Sequence, residues 1–336
     1  MHESLHSALA HYFSADEIRQ LSVSMISGEA SSRRYVRIGH ENWQNTRILC
    51  LDPAFMQDGA SEYPFITVQR LLSQNGVSVP LIYDFDRATG SLLLEDCGSV
   101  MLQEEASRST RERLRELYMD AIDQMTTIQS ITGNLSEIPF DRSFDTTKLL
   151  QELDFFIHHA LEPAQQPTLA AIRELRAEFR VIAARLDKPE HFVLSHRDYH
   201  SRNIMMQQQR PVVIDFQDAR LGLPQYDAAS LLRDAYQPLD DNLVEELLNY
   251  HHSRISNLRL CRMGYAEYRE LFDIMAFQRT VKALGTFYHQ SKVLDKPGFS
   301  RYIAPASSYL TGYASRQPSL RRPVAIISAL LTGQST

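Results

Sequence analysis

Between residues 193 and 218 the chain reads VLSHRDYHSRNIMMQQQRPVVIDFQD, which packs two histidines, three aspartates and an asparagine between short apolar runs. Two chemistries compete for these groups. His196, Asp198 and His200 alternate; on a strand they would share one face, as metal ligands do. Alternatively, Asn203 to Met206 and Pro211 to Asp215 form two strands joined through Gln207-Gln208-Gln209-Arg210. Closing that hairpin brings Asn203 and Asp215 to within about 5 Å across the ladder. Two oxygen donors then face one point, which suits Mg²⁺, an ion that needs only one or two protein groups when phosphates supply the rest. Asp198, five residues before Asn203, lies on the loop entering the hairpin, within reach of a substrate hydroxyl. This spacing, H-x-D-x-x-x-x-N followed by a further Asp, matches the division of labour in phosphoryl transfer: one Asp orients the acceptor while Asn and the second Asp hold Mg²⁺ on ATP. The zinc reading leaves Asn203 and Asp215 idle, so phosphoryl transfer is favoured.

The elements around this stretch change class near residue 97. Upstream, residues 23–27, 33–39 and 47–52 have strand character, residues 64–76 have helical spacing ending on a glycine, and residues 81–86 and 91–98 are two more strands around a turn at Ala88-Thr89-Gly90. Downstream, long amphipathic helices are expected over 111–129 and 168–186. The expected fold is therefore α+β with two lobes: residues 1–97 as a β-rich nucleotide-binding lobe, and residues 98–336 as a helical catalytic and substrate-binding lobe. Ligands favour the crevice between such lobes.

Composition narrows the partners. A chain of 336 residues with 43% hydrophobic and 23% charged content can build real cores, and a net charge of −6 argues against general nucleic-acid binding. Cys50, Cys97 and Cys261 are too few and too scattered for a disulfide framework. With no secretory signal and no span of membrane length, the expectation is a cytoplasmic protein with a small-molecule partner, no membrane and no obligate protein partner.

SHRDYHSRN followed by VVIDFQDARLGLPQYDAASLLRDAY resembles the aminoglycoside phosphotransferase family, whose members have a protein-kinase-like two-lobed fold and phosphorylate small molecules. GEASSRRYVRI, LLLEDCG, HRDYHSRN, IDFQDARLG, YDAASLLRDAY and FQRTVKALG are similar, in order, to the motifs of bacterial cell-wall amino-sugar kinases acting on N-acetylmuramate and N-acetylglucosamine. The resemblance implies Asp198 as catalytic base, Asn203 and Asp215 as metal ligands, and Glu95, Asp96 and Cys97 as the hinge where adenine docks. It further implies transfer to the anomeric hydroxyl, in cell-wall sugar recycling. His196 is expected to buttress the catalytic loop. His200 stands where protein kinases often place a phosphate-contacting Lys, so either that contact or loop packing explains it. Asp227 is first a helix cap, and in kinase-like folds an Asp here also braces the catalytic loop. Asp218 is a supporting group or a surface turn residue.

The pattern also departs from the kinase plan. The third strand, RILCLD, lacks the usual Lys, and the helix from Pro64 to Gln74 lacks the Glu that would pair with it. A substitute phosphate grip is expected in the loop from Gly28 to Tyr35, where Ser31 and Ser32 can donate and Arg33 or Arg34 can supply charge, only one of the two facing the cleft. No G-x-x-x-x-G-K-[ST] is present. The missing pair raises the alternative of a nucleotide-binding pseudokinase, against which Asp198, Asn203 and Asp215 are all in place. For the acceptor, Arg279 and Lys282, three residues apart, and Arg233 favour a carboxylate-bearing or neutral sugar over a choline or a polycationic aminoglycoside, unless they are ordinary helix-surface charges.

Overall fold

The computed structural model describes residues 2–26, 33–56, 63–161 and 169–332. Ser31, Ser32 and most of the loop from Gly28 lie outside the described residues. The chain opens with two helices that the strand-rich reading of this region did not anticipate, α1 (His2–Tyr12) and α2 (Ala15–Gln20). The second has a local cause: Ser14 Oγ accepts from the Glu17 N–H at 3.3 Å while the Ser14 N–H donates to Glu17 Oε2 at 2.8 Å, a capping box.

Five strands follow: β1 (Ser22–Ile26), β2 (Arg34–Gly39), β3 (Arg47–Leu51), β4 (Ile82–Asp86) and β5 (Ser91–Glu95). They form one antiparallel sheet in the order β1-β2-β3-β5-β4. Alternation along the strands sends side chains to two cores. Val36, Ile38, Leu49, Leu51 and Leu93 pack on Ala8 and Leu9 of α1, while Cys50, Leu92 and Leu94 face α3 (Pro64–Gln74), which buries Phe65, Val68 and Leu72. Gly90, at φ 63° in the β4–β5 turn, sits where a Cβ would lie 2.8 Å from the Asp52 carbonyl oxygen, so no other residue fits without a shift.

Beyond the sheet the chain is largely helical: α4 (Leu102–Ser107), α5 (Arg111–Gln129), α6 (Thr146–Phe156) and α7 (Leu169–Leu186). Short strands β6 (Val193–Ser195), β7 (Ile204–Gln207), β8 (Arg210–Val213) and β9 (Arg220–Gly222) interrupt them, and α8 (Gln225–Leu232), α9 (Asp241–Asn257), α10 (Tyr265–Tyr288), α11 (Ile303–Arg316) and α12 (Arg321–Thr332) complete the chain. Helix α10 packs against α6, α8 and α11 and is buried around most of its circumference, as expected of a helix at the centre of its lobe. At Gly285 it comes so close to α6 that a Cβ would stand 2.8 Å from the Phe156 Cα.

Candidate active site

The hairpin forms close to where the sequence places it. β7 pairs with β8 in the register Ile204↔Val213 and Gln207↔Arg210, leaving a two-residue turn at Gln208 and Gln209 with φ 49° and 66°. Two successive positive φ values suit the tight turns that match strand twist. Past the hairpin the Ile214 N–H donates to the Asn203 carbonyl at 3.0 Å. Asp215 then turns into the left-handed region at φ 64°, so its Oδ2 comes to 3.5 Å from Asn203 Nδ2. Asn203 Nδ2 donates to the Asp198 carbonyl at 2.9 Å, which leaves its Oδ1 as a second hard oxygen beside the Asp215 carboxylate. Burial raises the Asp215 pKa, partly offset by the amide of Gln217 at 2.9 Å. A carboxylate open to the cleft (47% exposed) next to an amide oxygen is a donor set that fits Mg²⁺ bound with substrate phosphates.

The zinc arrangement does not form. His196 Nε2 bonds the Ile214 carbonyl at 2.9 Å, whereas His200 lies edge-on to Tyr236, and no cluster of three His, Cys, Asp or Glu suited to a metal ion occurs among the described residues. His196 thus holds the residue just before Asp215. For His200, burial pushes the pKa down to about 3, so the ring is neutral at physiological pH. Its Nδ1 accepts from the Arg202 N–H at 3.3 Å, and its Nε2 lies 3.4 Å from Asn203 Nδ2.

The loop between β6 and β7 is pinned at several points. Asp227 is no helix cap: Pro224 occupies that position, and the fully buried Asp227 carboxylate accepts from the His196 N–H at 2.6 Å and the Arg197 N–H at 3.0 Å. These bonds hold Arg197 at φ 87°, a conformation rare outside glycine. Tyr199 anchors the loop to α5 through the Ala121 carbonyl at 2.7 Å, and buried Asp234 receives both the N–H and the hydroxyl of Ser201, at 3.0 and 2.5 Å. Asp218 accepts from Arg197 at 2.9 Å, which makes it a partner of the loop.

Asp198 projects from this frame into a ring of cations. Lys282 Nζ lies 2.7 Å from its Oδ1, Arg279 Nη2 3.5 Å from the same oxygen, and Arg197 Nη1 3.6 Å from Oδ2. Burial would raise the Asp198 pKa, but Lys282, Arg197 and Arg279 outweigh it and hold the carboxyl well below the usual range. Arg279 and Lys282 are therefore not surface charges; both come from α10 into the site. Arg233, also largely buried, pairs with Asp241 at 2.7 Å. All three line, with Asp198, His200, Tyr236 and Phe287, one cavity of about 100 Å³.

On the sheet side, Arg33 and Arg34 diverge as adjacent residues on a strand must. Arg33 Nε donates to Asp52 Oδ2 at 2.7 Å and its Nη1 lies 4.0 Å from Asp215, while Arg34 turns outward to Ser4 at 3.0 Å. Asp52, 2% exposed at the end of β3, also accepts from the Tyr63 hydroxyl at the start of α3. The cation that faces Asp215 thus comes from the residue before β2, and its carboxylate from the strand end and not from the helix. Glu95 and Asp96 have occupied side chains: Glu95 takes Gln207 Nε2 at 2.9 Å, and Asp96 takes Arg37 at 2.5 Å. Cys97 packs with Met205 and Val212, so the segment from Glu95 to Cys97, expected to be the adenine hinge, lies over an apolar floor formed by the hairpin. Sequence reasoning missed Asp52, Glu152 and Asp234, three buried or nearly buried carboxylates. Only Asp234, inside the quoted LLRDAY motif, carried a sequence signal.

Known proteins resemble this chain along nearly its whole length. The N-acetylmuramate/N-acetylglucosamine kinase of Pseudomonas putida is 28% identical over 331 residues, covering 94% of this chain and 91% of the relative. The protein of the same name from Pseudomonas aeruginosa is 28% identical over 343 residues, covering 98% and 95%. Among solved structures, an ADP-bound aminoglycoside phosphotransferase superposes with a TM-score of 0.63 at 13% identity, covering 96% of this chain and 98% of that one. This likeness shows a protein-kinase-like two-lobed fold. The model of the phosphotransferase enzyme family matches residues 22–271, most of the chain and the site residues from Arg33 to Arg233, with Arg279 and Lys282 beyond its end; the protein belongs to that family.

Proposed function

We propose that this phosphotransferase moves the γ-phosphoryl group of ATP to the anomeric hydroxyl of N-acetylglucosamine or N-acetylmuramate, in the cytoplasm and in the service of cell-wall sugar recycling. One observation carries the choice of acceptor: the cavity beside Asp198 is lined by Arg233, Arg279 and Lys282. Although Asp198, Asp234 and Asp241 offset these charges, three cationic N–H donors around one cavity suit a neutral or carboxylate-bearing sugar better than a choline or a polycationic aminoglycoside. Tyr236 and Phe287 in the same wall offer apolar surface to a pyranose ring. The names of the Pseudomonas relatives support the same class of acceptor.

In this reading the acceptor oxygen attacks the γ-phosphorus as the bond to the ADP oxygen breaks, and the hydroxyl proton passes to the Asp198 carboxylate. Asp198 is a weak base because Lys282, Arg197 and Arg279 stabilise its charge. Its main contribution is orientation, which suffices for a loose transition state and for a hemiacetal hydroxyl, more acidic than an ordinary alcohol. Arg33 draws the phosphates toward Asp215, and neutral His200 packs beside Asn203 and supports the loop. Mg²⁺ held by Asn203 and Asp215 would neutralise charge on the nucleotide phosphates.

The deciding experiment follows ADP release with N-acetylglucosamine, N-acetylmuramate and the methyl glycoside of N-acetylglucosamine. Turnover of the free sugars with an inert glycoside is expected. Efficient phosphorylation of the glycoside, which keeps its 6-hydroxyl, would overturn the anomeric assignment.

A further inference from the structure

Glu152, on α6, is a carboxylate that no motif marks and that the reaction as written does not use. It is 6% exposed, and burial alone would neutralise it; nearby Lys282 and Arg279 more than offset burial and keep it ionised. Its contacts form a chain toward the reaction centre. The Tyr226 hydroxyl donates to Glu152 Oε2 at 3.1 Å and Gln278 Nε2 donates to the same oxygen at 3.0 Å. Arg279 Nη1 in turn donates to the Tyr226 hydroxyl at 2.7 Å, its guanidinium lying over the Tyr226 ring at 4.6 Å, and its Nη2 reaches Asp198. The close approach of α6 and α10 at Gly285 makes this reach possible.

The charges around the base explain why a carboxylate is buried there. Arg197 has Asp218 as a partner, which leaves Arg279 and Lys282 both directed at Asp198 Oδ1. Two buried cations against one carboxylate would leave an uncompensated charge in the wall of the acceptor cavity, which is strongly unfavourable. Glu152 supplies the second negative charge. Through Tyr226 it also fixes which way the Arg279 guanidinium points, so that one edge serves Asp198.

We propose that Glu152 is a positioning residue for phosphoryl transfer, acting through Tyr226 to hold Arg279 against Asp198 and to balance the Arg279–Lys282 pair. Its side chain is not part of the lining of the cavity beside Asp198. This inference rests on the reading of Asp198 as the group that orients the acceptor.

The test compares Glu152→Gln, Tyr226→Phe and the double variant. In Glu152→Gln, kcat should fall about 10- to 100-fold, the scale of a small misplacement at a reacting group, with KM for ATP and affinity for ADP near wild type. The double variant should be no worse than the weaker single variant, because both changes cut one chain. Multiplicative losses, or unchanged kcat with only lowered thermal stability, would overturn the proposal. ADP release is followed with N-acetylglucosamine and with water as acceptor. A wild-type enzyme inert toward the sugar but hydrolysing ATP would overturn the sugar reading, while the ratio of variant to wild-type hydrolysis would still decide the role of Glu152.

Discussion

Lys282 Nζ sits 2.7 Å from Asp198 Oδ1, so the carboxylate that faces the acceptor cavity already has a cation on one of its two oxygens. The arrangement separates two tasks within one group. In the proposed mechanism Oδ1, tied to Lys282 and Arg279, fixes the side chain, while Oδ2, with the more distant Arg197 at 3.6 Å, is the oxygen that meets the hydroxyl. A base so strongly stabilised orients more than it abstracts, which suits phosphoryl transfer, where positioning and electrostatics supply most of the catalysis.

Asp198→Asn keeps the shape and the bonds to the loop but removes the charge. Turnover should drop by about 100- to 10,000-fold, the usual contribution of a positioned acid or base. Affinity for ADP should stay near wild type, because Arg33, Asn203 and the hinge are untouched. Steady-state kinetics together with a direct ADP titration measure both, and near-normal turnover would remove Asp198 from the mechanism.

Asp215→Ala should behave differently. Its carboxylate stands beside Asn203 at the mouth of the hairpin, 4.0 Å from Arg33, outside the cavity that Asp198 lines. Loss of this group should weaken Mg²⁺-dependent nucleotide binding as well as rate. Coincident Mg²⁺ titrations of variant and wild type would show that the hairpin does not hold the metal.

The hairpin was legible because two independent local signals coincide: short apolar runs on both sides of a polar turn, and polar residues placed just outside them at Asn203 and Asp215. Helix α5 was legible to the residue for the same reason, its apolar face being continuous from Leu114 to Ile128. The first two helices were not. In α1 only Ala8 and Leu9 are fully buried among the side chains described, so its pattern is short, and the Ser14–Glu17 box that starts α2 was its one clear mark. The charges posed a harder problem. Arg279 and Lys282 look alike on a helix surface and in a site, and only the packing of α6, α8 and α10 decides which they are. Asp227 sits near a helix start and suggests a cap, yet tertiary structure turns it to the catalytic loop. Asp52 and Glu152 have partners 19 and 74 residues away, Arg33 and Tyr226, a separation at which local reading carries no information.

Acid should destabilise the fold through His251. The fully buried ring lies 2.6 Å from the Tyr268 hydroxyl and 2.9 Å from Gln129 Oε1, and burial pushes its pKa down to about 3. An unfolded histidine titrates near 6.5, so as pH falls below that value protons bind the unfolded chain first. Stability should then decline by up to about 1.4 kcal/mol per pH unit from this group, levelling off only near pH 3. Denaturation midpoints of wild type and His251→Gln between pH 7 and 5 measure the slope. Parallel curves would show that the ring charges without cost in the folded state.

Arg33 and Arg34 offer a comparison within one dipeptide. Arg33 points into the cleft toward Asp215, and burial, which would lower its pKa, is more than offset by Asp52, so it stays charged. Arg34 points to Ser4 on the opposite side of the sheet. Arg33→Ala should raise KM for ATP about tenfold or more, the scale of a lost charge-assisted hydrogen bond, while leaving affinity for adenosine, which has no phosphates, unchanged. Arg34→Ala should do little to either. Asp52→Asn should shift ATP in the same direction as Arg33→Ala, because it frees the guanidinium from its partner at the end of β3. Equal and negligible effects of Arg33→Ala and Arg34→Ala would move the phosphate grip away from this strand, and a loss of adenosine affinity in Arg33→Ala would assign the residue to the shape of the lobe instead.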